Sequence, residues 1–203
     1  MVTDRDPAVA GLLLAAGGSR RLGQPKQLLR LGDASLVARG AAMLAQVCGT
    51  VIVVTGAHAK AVEAALAGLR AVVVRNPEWR QGQGRSIACA MHAVPQDAAA
   101  LLVLLCDQWR VTPACLETLV AAWRAAPERI VAARWADAFG PPVIFPARSF
   151  GSLARLRGPA GGKALLAAAT DTLLVELPLA GYDIDAVSDL AQLHAAGPDG
   201  QSR

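Results

Sequence analysis

Residues 8–26 read Ala-Val-Ala-Gly-Leu-Leu-Leu-Ala-Ala-Gly-Gly-Ser-Arg-Arg-Leu-Gly-Gln-Pro-Lys. The first seven of these, 8–14, are apolar throughout, the pattern of a strand buried on both faces. At 15–26 the run gives way to glycines, small residues, two arginines and a lysine. A buried strand that feeds directly into such a loop opens a βα unit of a parallel sheet, and these sheets bind ligands at the carboxyl ends of their strands.

Working outward, short apolar runs recur at 50–55, 71–74 and 100–105. Helical spacing predicts helices over 35–47, 58–66, 85–93 and 113–125, the last behind Thr112 as N-cap. Strand and helix alternate, which predicts an α/β fold with a mostly parallel sheet and helices on both faces. Beyond 126 the pattern weakens. A strand is expected at 129–134, then a glycine- and proline-rich turn, an apolar run at 143–145, and one or two helices over 149–169 broken at 158–162. A strand near 173–177 and a helix over 187–194 would finish one domain of residues 1–195, with 196–203 as a flexible tail containing Gly197, Pro198 and Gly200.

Hydrophobic residues make up 54% of the 203 and charged residues 18%, which excludes a disordered or strongly solvated chain. The net charge of +4 is spread over single or paired basic residues, so no nucleic-acid stripe is present and a small anionic ligand accounts better for the excess. Cys48, Cys89, Cys106 and Cys115 lack metal-binding spacing and sit in hydrophobic segments. His58, His92 and His194 share no spacing either and read as helical surface. The first apolar stretch is too short to span a membrane and has no basic leader, so a cytoplasmic protein without membrane contact is expected.

The loop reads as a phosphate site. Small residues let backbone N–H groups approach a polyphosphate, glycines can adopt positive φ, and Arg21 and Lys26 supply charge. Gly18 and Gly23 have P-loop spacing, but Gln24 stands where the lysine belongs and Gln27, not Ser or Thr, follows Lys26. A Gly-x-Gly-x-x-Gly dinucleotide fingerprint is absent as well. Acidic partners come from two further places. Asp107 follows the run at 100–105, and Asp183 and Asp185 flank Ile184 so that an extended backbone turns both carboxylates to one face. Asp185 could instead cap the helix expected at 187. Gly82, Gly84 and Ser86 form a close turn before a helix, and Trp79 reads equally as loop anchor or stacking surface.

Leu14-Ala15-Ala16-Gly17, then Ser19, Arg21, Gly23 and Lys26, resembles the signature loop of nucleotidyltransferases that join a nucleoside monophosphate to a phosphorylated acceptor. The further segments Asn76-Pro77-x-Trp79-x-x-Gly82-x-Gly84-x-Ser86, Leu105-x-Asp107-Gln108, Pro142-Val143-x-Phe145 and Asp183-Ile184-Asp185 are similar to those of molybdenum cofactor cytidylyltransferases, in the MobA-like nucleotidyltransferase family. The resemblance implies a Rossmann-like three-layer α/β/α fold whose amino-terminal half binds nucleotide and whose carboxyl-terminal half binds acceptor. It implies CTP as donor, molybdopterin as acceptor, Mg²⁺ on Asp107 and Asp185, and a molybdoenzyme or its chaperone receiving the product. Arg21, Lys26 and Asp107 would be the catalytic residues. Leu14, Ala15, Ala16, Gly17, Gly18, Ser19, Gly82 and Ser86 would line the nucleotide, with Arg21 and Lys26 on its phosphates. Ala16 favours cytidine, since guanosine-using relatives usually have glycine there. Trp109, Pro141, Pro159 and Lys163 depart from the family pattern, toward the acceptor side. The alternatives are transfer from GTP or to another small phosphate, and a nucleotide- or cofactor-binding chaperone without catalysis.

Overall fold

The computed structural model describes residues 6–195; the tail expected at 196–203 lies outside them. In chain order the elements are β1 (Asp6–Ala15), β2 (Arg30–Leu31), β3 (Ala34–Ser35), α1 (Leu36–Val47), β4 (Cys48–Thr55), α2 (Ala59–Ala64), β5 (Val72–Arg75), α3 (Gln83–Ala90), β6 (Ala100–Leu105) and α4 (Pro113–Ala125). Then follow β7 (Val131–Trp135), β8 (Ala138–Pro146), α5 (Phe150–Leu153), α6 (Lys163–Ala168), β9 (Leu173–Glu176) and α7 (Leu190–Ala195). The main sheet runs β5-β4-β1-β6-β8-β7-β9, while β2 and β3 make a small separate hairpin.

β1 is the central strand of the amino-terminal half. It pairs in parallel with β4 on one side and β6 on the other, and β4 pairs in parallel with β5. Because side chains alternate along a strand, Leu13 enters one core with Val37, Leu44, Leu116 and Leu119, and Leu12 enters another with Ile52, Ile87, Phe145 and Leu166. Thus α1 and α4 cover one face and α3, α5 and α6 the other, the three-layer α/β/α arrangement. The caps are local: the Ser35 hydroxyl accepts the Ala38 N–H at 3.3 Å, and that of Thr112 accepts the Cys115 N–H at 3.4 Å.

Three expectations are corrected. The glycine- and proline-rich segment before 143 is no turn but part of β8, the one strand antiparallel to both neighbours, β6 and β7. Pro141 and Pro142 fall where the β7 register shifts, so the ladder skips the residues that lack an N–H. The helix over 58–66 contracts to α2, with His58 ahead of it at φ 57°. α3 starts two residues earlier than expected and ends at Ala90, followed by a 3₁₀ turn, Met91–Ala93. No helix among the described residues is long and apolar enough to cross a membrane. None of the four cysteines is in a disulfide, and three of them are buried.

Candidate active site

β1 delivers its loop to the carboxyl edge of the sheet, and there the backbone turns through Ser19 at φ 48° and Gly23 at φ 72°. Glycine suits Gly23 because a left-handed φ costs an L side chain strain. The loop closes on itself when the Ser19 hydroxyl accepts the backbone N–H of Lys26 at 3.1 Å. Gln27, 0% exposed, braces it from behind, its amide donating to the carbonyls of Ala15 at 3.1 Å and Gly17 at 2.6 Å. Trp79 lies on Gly18 so closely that a Cβ there would come within 3.0 Å of the ring. Trp79 is therefore a loop anchor, and it forms part of the cavity wall as well.

The charged centre is built on Lys26. Its ammonium donates to Asp107, to the carbonyl of Ile184 at 3.2 Å and to Asp185 at 3.3 Å, while Arg21 reaches Asp185 at 2.7 Å. Burial disfavours the Lys26 charge, but the charge and hydrogen bond of Asp107, with Cys106 and Asp185, outweigh it and hold its pKa above that of an ordinary lysine. Burial pushes the neighbouring Cys106 thiol far up. Oxygens of Asp107, Asp183 and Asp185 lie within 4.8 Å of one another. Burial, then the charges of Asp107 and Asp185, raise the Asp183 pKa. Three clustered carboxylates are the hard oxygen donor set a divalent cation takes, and they fit one. Asp185 does not cap the following turn. Asp189 does so, accepting the N–H groups of Asp185 at 2.9 Å and Ala186 at 2.8 Å, which leaves the Asp185 carboxylate to the cations.

In front of these charges opens a cavity of about 330 Å³, with Leu14, Ala16, Gly17, Gly18, Lys26 and Asp107 along one side and Gly82 and Ser86 on the other. The Asn76 carbonyl accepts the Glu78 N–H at 2.9 Å, so its amide nitrogen donates to Ser86 Oγ at 3.0 Å. The buried Ser86 hydroxyl thus accepts one bond through a lone pair and keeps its own O–H and a second lone pair. Gly82, at φ 105°, lets the turn before α3 meet the loop at 158–159, where a Cβ would stand 2.6 Å from backbone atoms.

A glycine-rich strand-end loop carrying Arg21 and Lys26 thus faces clustered carboxylates, and residues 11–173 match the MobA-like NTP transferase domain. The chain belongs to that family. Nucleotide transfer from a triphosphate is accordingly its general class of activity. The chain is 37% identical over 147 residues to the nicotine blue oxidoreductase of Paenarthrobacter nicotinovorans, covering 68% of this chain and 67% of that one. It is 33% identical to a protein of Synechococcus elongatus named "Probable molybdenum cofactor guanylyltransferase", over 57% of this chain and 56% of that one. The Rv0371c protein of Mycobacterium tuberculosis in complex with manganese superposes with a TM-score of 0.72 at 30% identity, covering 92% of this chain and 97% of the other. That complex and the carboxylate cluster together point to divalent-metal use.

In this MobA-like transferase the sequence-derived candidates mostly converge. Arg21, Lys26, Asp107 and Asp185 meet in one ion-pair network, and Asp183 joins the carboxylate cluster. Ala15 stays behind the loop, its side chain buried in the core, and does not line the cavity. Ser19 and Arg21 face an adjoining hollow of about 190 Å³ that also contains Asp185. Trp109 does not share the surroundings of Pro141, Pro159 and Lys163: it is 2% exposed in a small core with Leu22, Leu36, Ile184 and Leu193, whereas the other three line a second chamber. Sequence reasoning missed Gln27, Arg20 and Arg80, the last two on the cavity wall. Gln27 stands directly after Lys26 where a glycine-rich loop leaves backbone carbonyls in need of donors, which was the available signal.

Proposed function

We propose that this chain is a nucleotidyltransferase that moves CMP from CTP to the phosphate of molybdopterin and releases pyrophosphate. The observation that carries the reading is Lys26, whose ammonium bridges Asp107 and Asp185 while its N–H is fixed by Ser19 at the glycine loop. A triphosphate needs fixed cations and a divalent metal needs oxygen ligands, and both requirements meet at this side chain. Asp107 and Asp185, with Asp183 beside them, would hold Mg²⁺, which offsets the charge of the triphosphate and of the departing pyrophosphate.

Lys26 and the exposed Arg21 exchange their carboxylate partners for donor phosphates, and the loop at 15–19 cradles the chain of phosphates. An oxygen of the acceptor phosphate attacks the α-phosphorus. That O–P bond forms as the bond to the α,β-bridging oxygen breaks, and pyrophosphate leaves with the bridging oxygen. The protein forms no covalent intermediate; it positions the reactants and stabilises charge. Ser86, whose O–H is not used in its bond with Asn76, would donate to the carbonyl or ring-nitrogen acceptor of cytosine. Guanine also offers acceptors, and the guanylyltransferase relative supports GTP as the second reading. The reaction belongs in the cytoplasm, with a molybdoenzyme or its chaperone taking the product.

Labelled CTP and GTP, each incubated with molybdopterin, test the reading by pyrophosphate release. Turnover is expected with CTP, lost in Asp107→Ala and after chelation, and restored by Mg²⁺. Equal or greater turnover with GTP overturns the cytidine assignment. Release no greater than in Asp107→Ala, whatever phosphorylated acceptor is offered, overturns catalysis in favour of a binding chaperone.

A further inference from the structure

Three consecutive residues after Asp107 each meet the segment that carries Asp183 and Asp185. The Gln108 amide donates to the Ala180 carbonyl at 2.9 Å, and Trp109 shares a buried apolar cluster with Ile184. At the position between those two, the Arg110 guanidinium lies over the Tyr182 ring, 4.1 Å from its centroid, and it also lies 4.8 Å from the centroid of the Trp109 ring. Residues 108, 109 and 110 thereby meet 180, 184 and 182. The three contacts differ in depth. Gln108 and Trp109 are buried and belong to the interior, whereas Arg110 is half-buried and Tyr182 is 40% exposed. A guanidinium over an aromatic face is attracted by the ring quadrupole and holds without full burial. This outermost contact can therefore open while the fold stays intact, and Tyr182 immediately precedes Asp183.

We propose that Arg110 is a positioning residue: by clasping Tyr182 it holds the arm at 182–185 against the carboxyl end of β6, and so sets the spacing at which Asp107, Asp183 and Asp185 share a divalent cation. This rests on the reading of those three carboxylates as the cation site. Their oxygens, within 4.8 Å of one another, come from two segments far apart in the chain, and like charges at that range repel. Lys26 and Arg21 offset the repulsion while they pair with the cluster. Once both turn to the phosphates of a donor, the clasp still ties the two segments together, and it does so without supplying a ligand. A purely electrostatic role for Arg110 has the opposite sign. A positive charge beside the cluster repels a cation, so its loss would tighten binding, whereas loss of a clasp loosens it.

Titration of Mn²⁺ into the intact, metal-free protein, with the free ion read by electron spin resonance, tests the clasp. Arg110→Met keeps the stem and loses the charge, and Tyr182→Leu loses the ring at an exposed position without changing charge. Each is expected to weaken Mn²⁺ binding about 3- to 10-fold, and the double variant by no more than about 10-fold, because both act through one contact. Tyr182→Phe keeps the ring face and should bind as the parent does, while Arg110→Lys should recover part of the loss. The single tyrosine of the chain gives a readout without metal: its ring current should move the Arg110 side-chain proton resonances upfield, a shift lost in Tyr182→Leu. Equal or tighter Mn²⁺ binding in Arg110→Met and Tyr182→Leu, or absence of that shift in the parent, overturns the proposal. A parent that binds no Mn²⁺ strikes the cation reading and this proposal with it; a parent that binds it as its variants do strikes the clasp alone.

Discussion

Two buried glutamines hold the two halves of the site, and they do so over very different distances along the chain. Gln27 clamps the carbonyls of Ala15 and Gly17, 12 and 10 residues away, and thereby sets the glycine loop. Gln108, 4% exposed, donates to the carbonyls of Pro141 at 2.6 Å and Ala180 at 2.9 Å, 33 and 72 residues away, and joins the strand behind Asp107 to β8 and to the segment ahead of Asp183. The same amide chemistry makes a local loop in one region and a long-range stitch in the other. The glycine loop is thus held in shape by neighbours in sequence, and the wall that contains Pro141 only by the finished fold.

The contrast can be broken by substitution. Lys26→Met should have the largest effect, because it removes the donor loop's ammonium from the largely buried Asp107. We expect triphosphate affinity to fall about 100-fold and stability by about 3 kcal/mol, measured by calorimetry and denaturant unfolding. Gln27→Leu should come next. It strands two loop carbonyls, which costs about 2 kcal/mol or more and weakens triphosphate binding about 10-fold. Gln108→Leu should cost about 1–2 kcal/mol and raise the KM for acceptor while leaving triphosphate affinity within about 2-fold. If both glutamine variants lose triphosphate binding equally, the division into a local and a stitched half is wrong.

Asp183→Asn should have the smallest effect and the opposite sign. Burial and the neighbouring charges raise the Asp183 pKa in the folded chain, so its ionised form opposes folding. That penalty is absent below the unfolded carboxyl value and sets in as pH rises through the raised folded one. The metal-free variant should therefore melt slightly higher than the parent at neutral pH, by about 2 °C, and match it in acid. A difference that grows as pH falls would reverse the assignment.

How far the sequence could be read follows the same division. β6 and α4 were legible residue by residue, because an unbroken apolar run and a Thr112-Pro113 cap are local signals. The place of the glycine loop after β1 was legible for the same reason, whereas the direct pairing of Lys26 with Asp107 shows only once the ends of β1 and β6 are aligned. β8 was not, since Gly140-Pro141-Pro142 has the composition of a turn and only the register shift against β7 accommodates it in a sheet. The burial of Trp109 was not legible either, because a bulky apolar residue after Asp107 gives no sign of its partner, Ile184, which arrives from the far end of the fold. Asp185 was ambiguous until Asp189 was seen to take the cap.

Ile184, 0% exposed, rests in that small third core with Leu22 from the glycine loop, Trp109 from the stretch after Asp107 and Leu193 from α7. Each charged segment of the site thus has one foot on a shared apolar pedestal, separate from the two large cores of the sheet. The spacing of the carboxylates is consequently set by hydrocarbon volume beneath them, and a methylene lost at Leu193 would retune cation affinity from a residue that carries no charge and meets no substrate.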